Sequence, residues 1–292
     1  MNYPRALFTA VFFIGIILSA FAQDARRKGP IIRQLDHILV ESSDPKSLIS
    51  FFSGILQLPE AWPLSESRGF VSGGVGTGNA SIRIFRYAET DRDSTRKTAE
   101  ARYAGLAFQP YPLPGALREL RICGIPFGDP EPYISALPDG SRGTLWTTVP
   151  LPSFSRPGMT IFLYEYSPEF LRAEARRQQL GNRLALNGGG PLGIQSIREI
   201  VIAARNLETD RAAWKQLLEK KTSSGNHLSG SGPSIRLIGG SRDFISEMVF
   251  NVKSLDRAGK FLDKQQLLGT SSSEKLTLDP SKIQGLKIGL ME

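Results

Sequence analysis

Cysteine and histidine are scarce in this chain: 292 residues hold one Cys, Cys123, and two His, His37 and His227. A lone cysteine excludes an internal disulfide, so stability must come from packing. Cys123 ends an apolar, helix-like stretch and reads as a small buried hydrophobe; a nucleophile there would need a neighbouring base. His227 sits in a Ser/Gly loop and reads as exposed. A basic run interleaved with aromatics is also missing. The formal net charge of +8 therefore reads as a basic solvated surface, and no nucleic-acid partner is expected. The glycine run Gly73–Gly78 opens no helix, so it reads as a hairpin turn between two strands, and no nucleotide cofactor is expected.

Long apolar runs are limited to one, Ala6–Ala22, seventeen uncharged residues behind Arg5. It ends in Ala20-Phe21-Ala22, a small-x-small cleavage pattern followed by polar Gln23-Asp24, so residues 1–22 read as a signal peptide. Seventeen residues lie at the lower limit for crossing a bilayer of about 30 Å, which leaves an uncleaved anchor as the lesser alternative. The expected location is periplasmic or extracellular, with no stable membrane span after cleavage. Removing residues 1–22 takes away Arg5 and leaves a net charge of +7 (8 − 1).

The remaining chain carries one pattern four times: a short β-rich run, a cap residue and an amphipathic helix. The first is Leu35–Val40, then Asp44-Pro45 and a helix with Leu48, Phe51, Phe52, Ile55 and Leu56 on one face. The others run from Ala104–Phe108 to Pro112, from Ile197–Ile202 to Asn206, and from Ile245–Phe250 to Ser254. Aligning His37, Gly105, Glu199 and Glu247 places Asp44, Pro112, Asn206 and Ser254 seven residues on, and three of these four are good N-caps. Further strands follow each helix, as in Ser81–Ile84, Thr160–Glu165, Ser234–Leu237 and Leu286–Glu292. The class expected is α+β with mainly antiparallel sheets.

This pattern resembles the vicinal oxygen chelate superfamily, the glyoxalase and extradiol-dioxygenase-like proteins. The resemblance rests on Leu35-Asp36-His37-Ile38-Leu39-Val40, its three echoes, and strands ending in Glu165 and Glu292. It implies tandem βαβββ modules paired into two cup-shaped mixed-sheet domains, 34–167 and a shorter 197–292, joined by a linker over 168–196. It also implies a metal held by side chains from the first and last strands of the modules.

Carried over by position, the first pair offers His37, Gly105 and Glu165, and the second Glu199, Glu247 and Glu292. Gly105 brings no side chain, and the second set replaces imidazoles with carboxylates. The two-His, one-carboxylate face of iron(II) oxygen chemistry is absent, which argues against ring-cleaving dioxygenase activity. His37 and Glu165 would hold a divalent metal of unspecified identity, or His37 is a relic hydrogen-bonded in a polar cavity. Glu199, Glu247 and Glu292 would hold a hard cation, or pair with nearby arginines. Arg83 and Arg236, repeated on sheet strands, would bind an anionic ligand or pair with a cup carboxylate. Two functions stay open: an exported metal-dependent lyase or isomerase acting on a small oxygenated molecule, and an exported, non-catalytic small-molecule binding protein with degenerate metal sites. A homo-oligomer stays open with both.

Overall fold

A computed structural model describes residues 29–67, 69–87, 100–137, 139–218, 227–228 and 232–292. The segment expected to be a signal peptide, most of the charged loop after Glu89, and most of the Ser/Gly loop before Ser234 lie outside these residues. Two mixed sheets carry the fold, which is α+β.

The first sheet is built from β1 (Ile32–Ser42), β2 (Glu60–Ser67), β3 (Phe70–Gly76), β4 (Ser81–Tyr87), β5 (Ala101–Pro110), β6 (Glu131–Ala136), β7 (Arg142–Pro150) and β8 (Thr160–Tyr166). Helices α1 (Pro45–Ser50) and α2 (Leu113–Ile122) lie between its first and second strands in each half. The strand order β2-β3-β4-β1-β5-β8-β7-β6 is symmetric about the antiparallel β1/β5 seam. Helix α3 (Ala173–Leu186) follows. The second sheet has β9 (Ile194–Ala204), β10 (His227–Leu228), β11 (Ser234–Gly239), β12 (Phe244–Val252), β13 (Leu268–Ser271), β14 (Leu276–Leu278) and β15 (Ile288–Met291), with α4 (Leu207–Leu218) and α5 (Leu255–Lys264). Its order, β10-β11-β9-β12-β15-β14-β13, turns on an antiparallel β9/β12 seam.

The register expected from the sequence recurs in both sheets. His37 pairs with Ser81, Gly105 with Thr160 and Glu199 with Ser234, each across a parallel pair. The helices begin at Pro45, Leu113, Leu207 and Leu255, each eight residues beyond the aligned position. Asp44 and Ser254 accept the N–H of Ser47 and Arg257 as N-caps. Beyond that register, each seam strand carries a bulge. One extra residue, Asp36, Ala104, Arg198 or Ser246, precedes His37, Gly105, Glu199 or Glu247. A bulge bends the strand and re-aims the side chains beside it.

Two local readings need correction. Gly73–Gly76 lie within β3, and the turn to β4 falls at residues 77–80, with Gly78 at φ +90°. Glycine is required in the strand because the Trp62 ring lies on Gly74, where an added Cβ would sit 2.4 Å from it. Ile55, expected on the buried face of α1, is 42% exposed because Phe51–Ile55 forms a π-helical turn. The wider turn shifts the residues around the axis, so that Ile55 turns outward while Leu56 stays buried as expected.

Ile38, Val40, Leu106, Ile161 and Leu163 face the helices and join a core continuous with that of the second sheet. Phe108 and Phe154 pack edge-on against Trp214 of α4, and Asn79 exchanges two hydrogen bonds with the Ile197 backbone. The alternate residues of β1, β4 and β8 face the concave side of the first sheet, where the site lies.

Candidate functional site

The Asp36 bulge brings two successive side chains of β1 to the concave face. His37 is 1% exposed, and its Nδ1 lies 2.7 Å from Asp36 Oδ2. A carboxylate can only accept, so the ring proton sits on Nδ1 and Nε2 carries a bare lone pair. That Nε2 is buried and has no hydrogen-bond partner. Three rings pack edge-on against the imidazole: Tyr164 at 5.0 Å, Trp62 at 5.9 Å and Phe162 at 6.2 Å between centroids. Trp146 extends the wall, 5.8 Å from Tyr164 and stacked at 4.3 Å on Tyr133.

Asp36 is the polar hub. Its Oδ2 also accepts from the Tyr166 hydroxyl at 3.3 Å, and its Oδ1 accepts from Arg177 of α3 at 3.3 Å. Arg83 of β4 lies on the same face, donating to Ser72 Oγ at 3.2 Å, with its charge close enough to act on the Tyr164 phenol. Burial pushes the Tyr164 and Tyr166 phenols above their ordinary values, so both stay protonated donors at neutral pH.

Burial also lowers the His37 pKa below its ordinary 6.5, outweighing the Asp36 hydrogen bond and charge that favour protonation; the Arg83 charge adds to the lowering. The unfolded chain therefore takes up a proton at a pH where the folded ring stays neutral, and stability falls as pH drops below about 6.5. The loss ends once the buried ring itself is protonated. Urea unfolding from pH 7.5 downward should show this decline in the wild type and a flatter profile in His37→Gln. Parallel profiles would remove His37 as its source.

The structure does not bring Glu165 to His37. Glu165 shares the helix-facing side of β8 with Ile161 and Leu163, and its Oε1 accepts the Leu113 N–H at 2.9 Å. It thus caps the first turn of α2, whose N-cap Pro112 offers no side-chain acceptor. Glu292 repeats the arrangement, with Oε1 accepting the Leu255 N–H of α5 at 2.6 Å. Glu165→Ala should cost about 1 kcal/mol in urea unfolding, the usual worth of a lost cap near a helix N-terminus. An unchanged midpoint would contradict the capping role.

The second set does not converge either. Glu199 is held by Arg236 at 2.9 Å, and Glu247 by Lys275 at 2.6 Å. Arg236 is therefore a carboxylate partner, whereas Arg83 remains in the first cup. Gly105 could not have carried a ligand, because an added Cβ would lie 2.0 Å from the Thr160 carbonyl oxygen. Among the described residues, no group of three or more His, Cys, Asp and Glu side chains could hold a metal ion. A divalent metal at His37 would meet one imidazole nitrogen, aromatic rings and the Arg83 cation, with Asp36 already engaged. These residues do not fit one.

Sequence reading missed Asp36, Trp62, Tyr164, Tyr166 and Arg177. The available signal was the alternation of β8, which sets Phe162, Tyr164 and Tyr166 on one face and Glu165 on the other.

No protein-family profile and no curated protein sequence matches the chain. Solved structures do. A hypothetical protein from Staphylococcus aureus superposes with a TM-score of 0.57 at 10% identity, covering 88% of this chain and 98% of that one. The 2,3-dioxygenase LapB from Pseudomonas sp. KL28 gives 0.54 at 11% identity, covering 90% and 92%. Homoprotocatechuate 2,3-dioxygenase from Brevibacterium fuscum, in complex with 3,4-dihydroxyphenylacetate, gives 0.53 at 10% identity, covering 90% and 81%. At such identities the likeness is one of fold: the chain shares the fold of these 2,3-dioxygenases.

Proposed function

We propose that this chain is an exported small-molecule binding protein that uses the cup of the first sheet without a metal. The observation that carries this reading is the bare, buried Nε2 of His37, fixed as an acceptor by Asp36 and walled by aromatic rings. A buried polar atom without a partner is costly, and a ligand O–H or N–H would remove that cost. The rings favour a flat molecule, and Arg83 favours one bearing an acid group. A hydroxylated aromatic acid combines these features, and one solved neighbour holds 3,4-dihydroxyphenylacetate.

A metal-dependent lyase or isomerase is supported here by the same free Nε2 alone. It lacks the second and third donors that such chemistry requires.

The test is dialysis of the mature protein, beginning at Gln23, against iron(II), manganese(II) and zinc(II), followed by elemental analysis and titration with 3,4-dihydroxyphenylacetate. The expected result is no stoichiometric metal, with binding of the acid weakened in His37→Ala and Arg83→Ala. One equivalent of metal that disappears in His37→Ala would overturn the reading. Export is tested by N-terminal sequencing of the secreted or periplasmic chain, expected to start at Gln23; a chain retained with residues 1–22 would contradict it.

A further inference from the structure

Helix α3 lies over the first cup and divides the space in front of it. Behind it is a chamber of about 20 Å³ bordered by Asp36, Trp62, Ser81 and Arg177, room for about one water. In front is a groove of about 740 Å³. Tyr166, Leu171 and Ala173 border both spaces, so the partition is the segment leading into α3.

The helix is held unevenly. Its C-terminal half buries Leu180 and Leu184, and Leu180 rests on Gly76, where an added Cβ would meet it at 3.0 Å. Its N-terminal half buries no apolar residue and has no side-chain cap bond at Arg172. Polar contacts hold that half: Arg177 to Asp36 at 3.3 Å and Gln109 at 3.0 Å, and Arg176 to the Ala61 carbonyl at 2.6 Å. Opening it would exchange hydrogen bonds with water and pull no buried apolar residue of its own out of the core, which is the signature of a low-stability local unit.

We propose that residues 171–178 form a latch over the first cup, closed by the Arg177–Asp36 pair, and that opening it joins chamber and groove and uncovers the buried Asp36–His37 pair. Once released, Arg177 joins Arg172 at the groove, whose other charged residues are already engaged, Arg33 with Glu174 and Glu165 with the Leu113 N–H. The ligand that holds the latch open is therefore a small acid with an O–H or N–H donor. This last step rests on the binding reading above; the latch itself does not.

Acylation by diethyl pyrocarbonate tests it, because the reagent attacks an unprotonated imidazole nitrogen and the two histidines fall in separable peptides. His37 should react about tenfold faster in Arg177→Ala than in the wild type, a factor that one charge-assisted hydrogen bond can supply. Ala175→Gly, which weakens the same half of α3 without touching Asp36, should raise the rate as well. Arg183→Ala should leave it unchanged. Hydrogen exchange of β1 amides, unaltered in these variants, would show that the fold stays closed elsewhere. Equal His37 rates in wild type, Arg177→Ala and Ala175→Gly would overturn the latch, as would acceleration that appears only with exchange of β1. Fast His37 modification that 3,4-dihydroxyphenylacetate neither slows nor competes with would support the latch and sink the binding reading. Binding of that acid by the wild type, with no gain in His37 rate in Arg177→Ala or Ala175→Gly, would do the reverse.

Discussion

Replacing Gly105 with alanine is expected to destabilise the protein by about 4 kcal/mol or more, and replacing it with histidine by at least as much. The cause is backbone, not side-chain, crowding. A Cβ at position 105 would lie 2.0 Å from the Thr160 oxygen and 2.9 Å from its carbon, where neighbouring atoms do not approach below 3 Å. Relief would require β5 and β8 to separate, and β8 carries Ile161 and Leu163, both fully buried. Gly115→Ala is the internal control: it lies in α2 with nothing within 4 Å of its added Cβ. It should gain up to about 1 kcal/mol from helix propensity. Urea midpoints of the two variants, moving in opposite directions, would establish the contrast; a Gly105→Ala protein as stable as the wild type would refute it. The consequence is functional. A histidine at position 105, the place where the module pattern would set a second imidazole, is closed off by the fold itself.

Asp36→Ala should cost roughly 3–5 kcal/mol, the range seen when one partner of a buried charged pair is removed. Asp36 is 7% exposed and serves three donors: His37 Nδ1, the Tyr166 hydroxyl and Arg177. Without it, Tyr166 and Arg177 face a space that holds about one water, and His37 Nδ1 loses its acceptor. Asp36→Asn keeps the shape and part of the hydrogen bonding, and should lose less. Calorimetric melting of both variants at pH 7.5 checks the order. If Asp36→Ala melted with the wild type, the hub role would fall.

The sequence showed the register because local rules set it. A cap residue seven positions after each aligned residue fixes where a helix starts, and those starts hold at Pro45, Leu113, Leu207 and Leu255. The site was only half legible. His37 was found because the alternation of β1 sets it opposite Ile38 and Val40. Asp36 was hidden because a bulge, invisible in the residue pattern, turns it to the same side. Glu165 and Glu292 looked like ligands by position, yet their parity with Ile161, Leu163, Ile288 and Leu290 places them towards the helices, where Glu165 supplies the cap that α2 lacks and Glu292 adds a second acceptor beside Ser254 on α5. Arg177 belongs to the helix between the sheets. Nothing local in a charged amphipathic stretch says that one of its arginines turns inward to a carboxylate 141 residues away.

The state of the His37 ring tests the account most directly, and long-range proton–nitrogen NMR reads it in a chain with only two histidines. At pH 7.5 the ligand-free mature protein should show His37 neutral, protonated at Nδ1 and bare at Nε2, with no change on adding a chelator or one equivalent of zinc. A proton or a bound metal on Nε2 in that protein would contradict it.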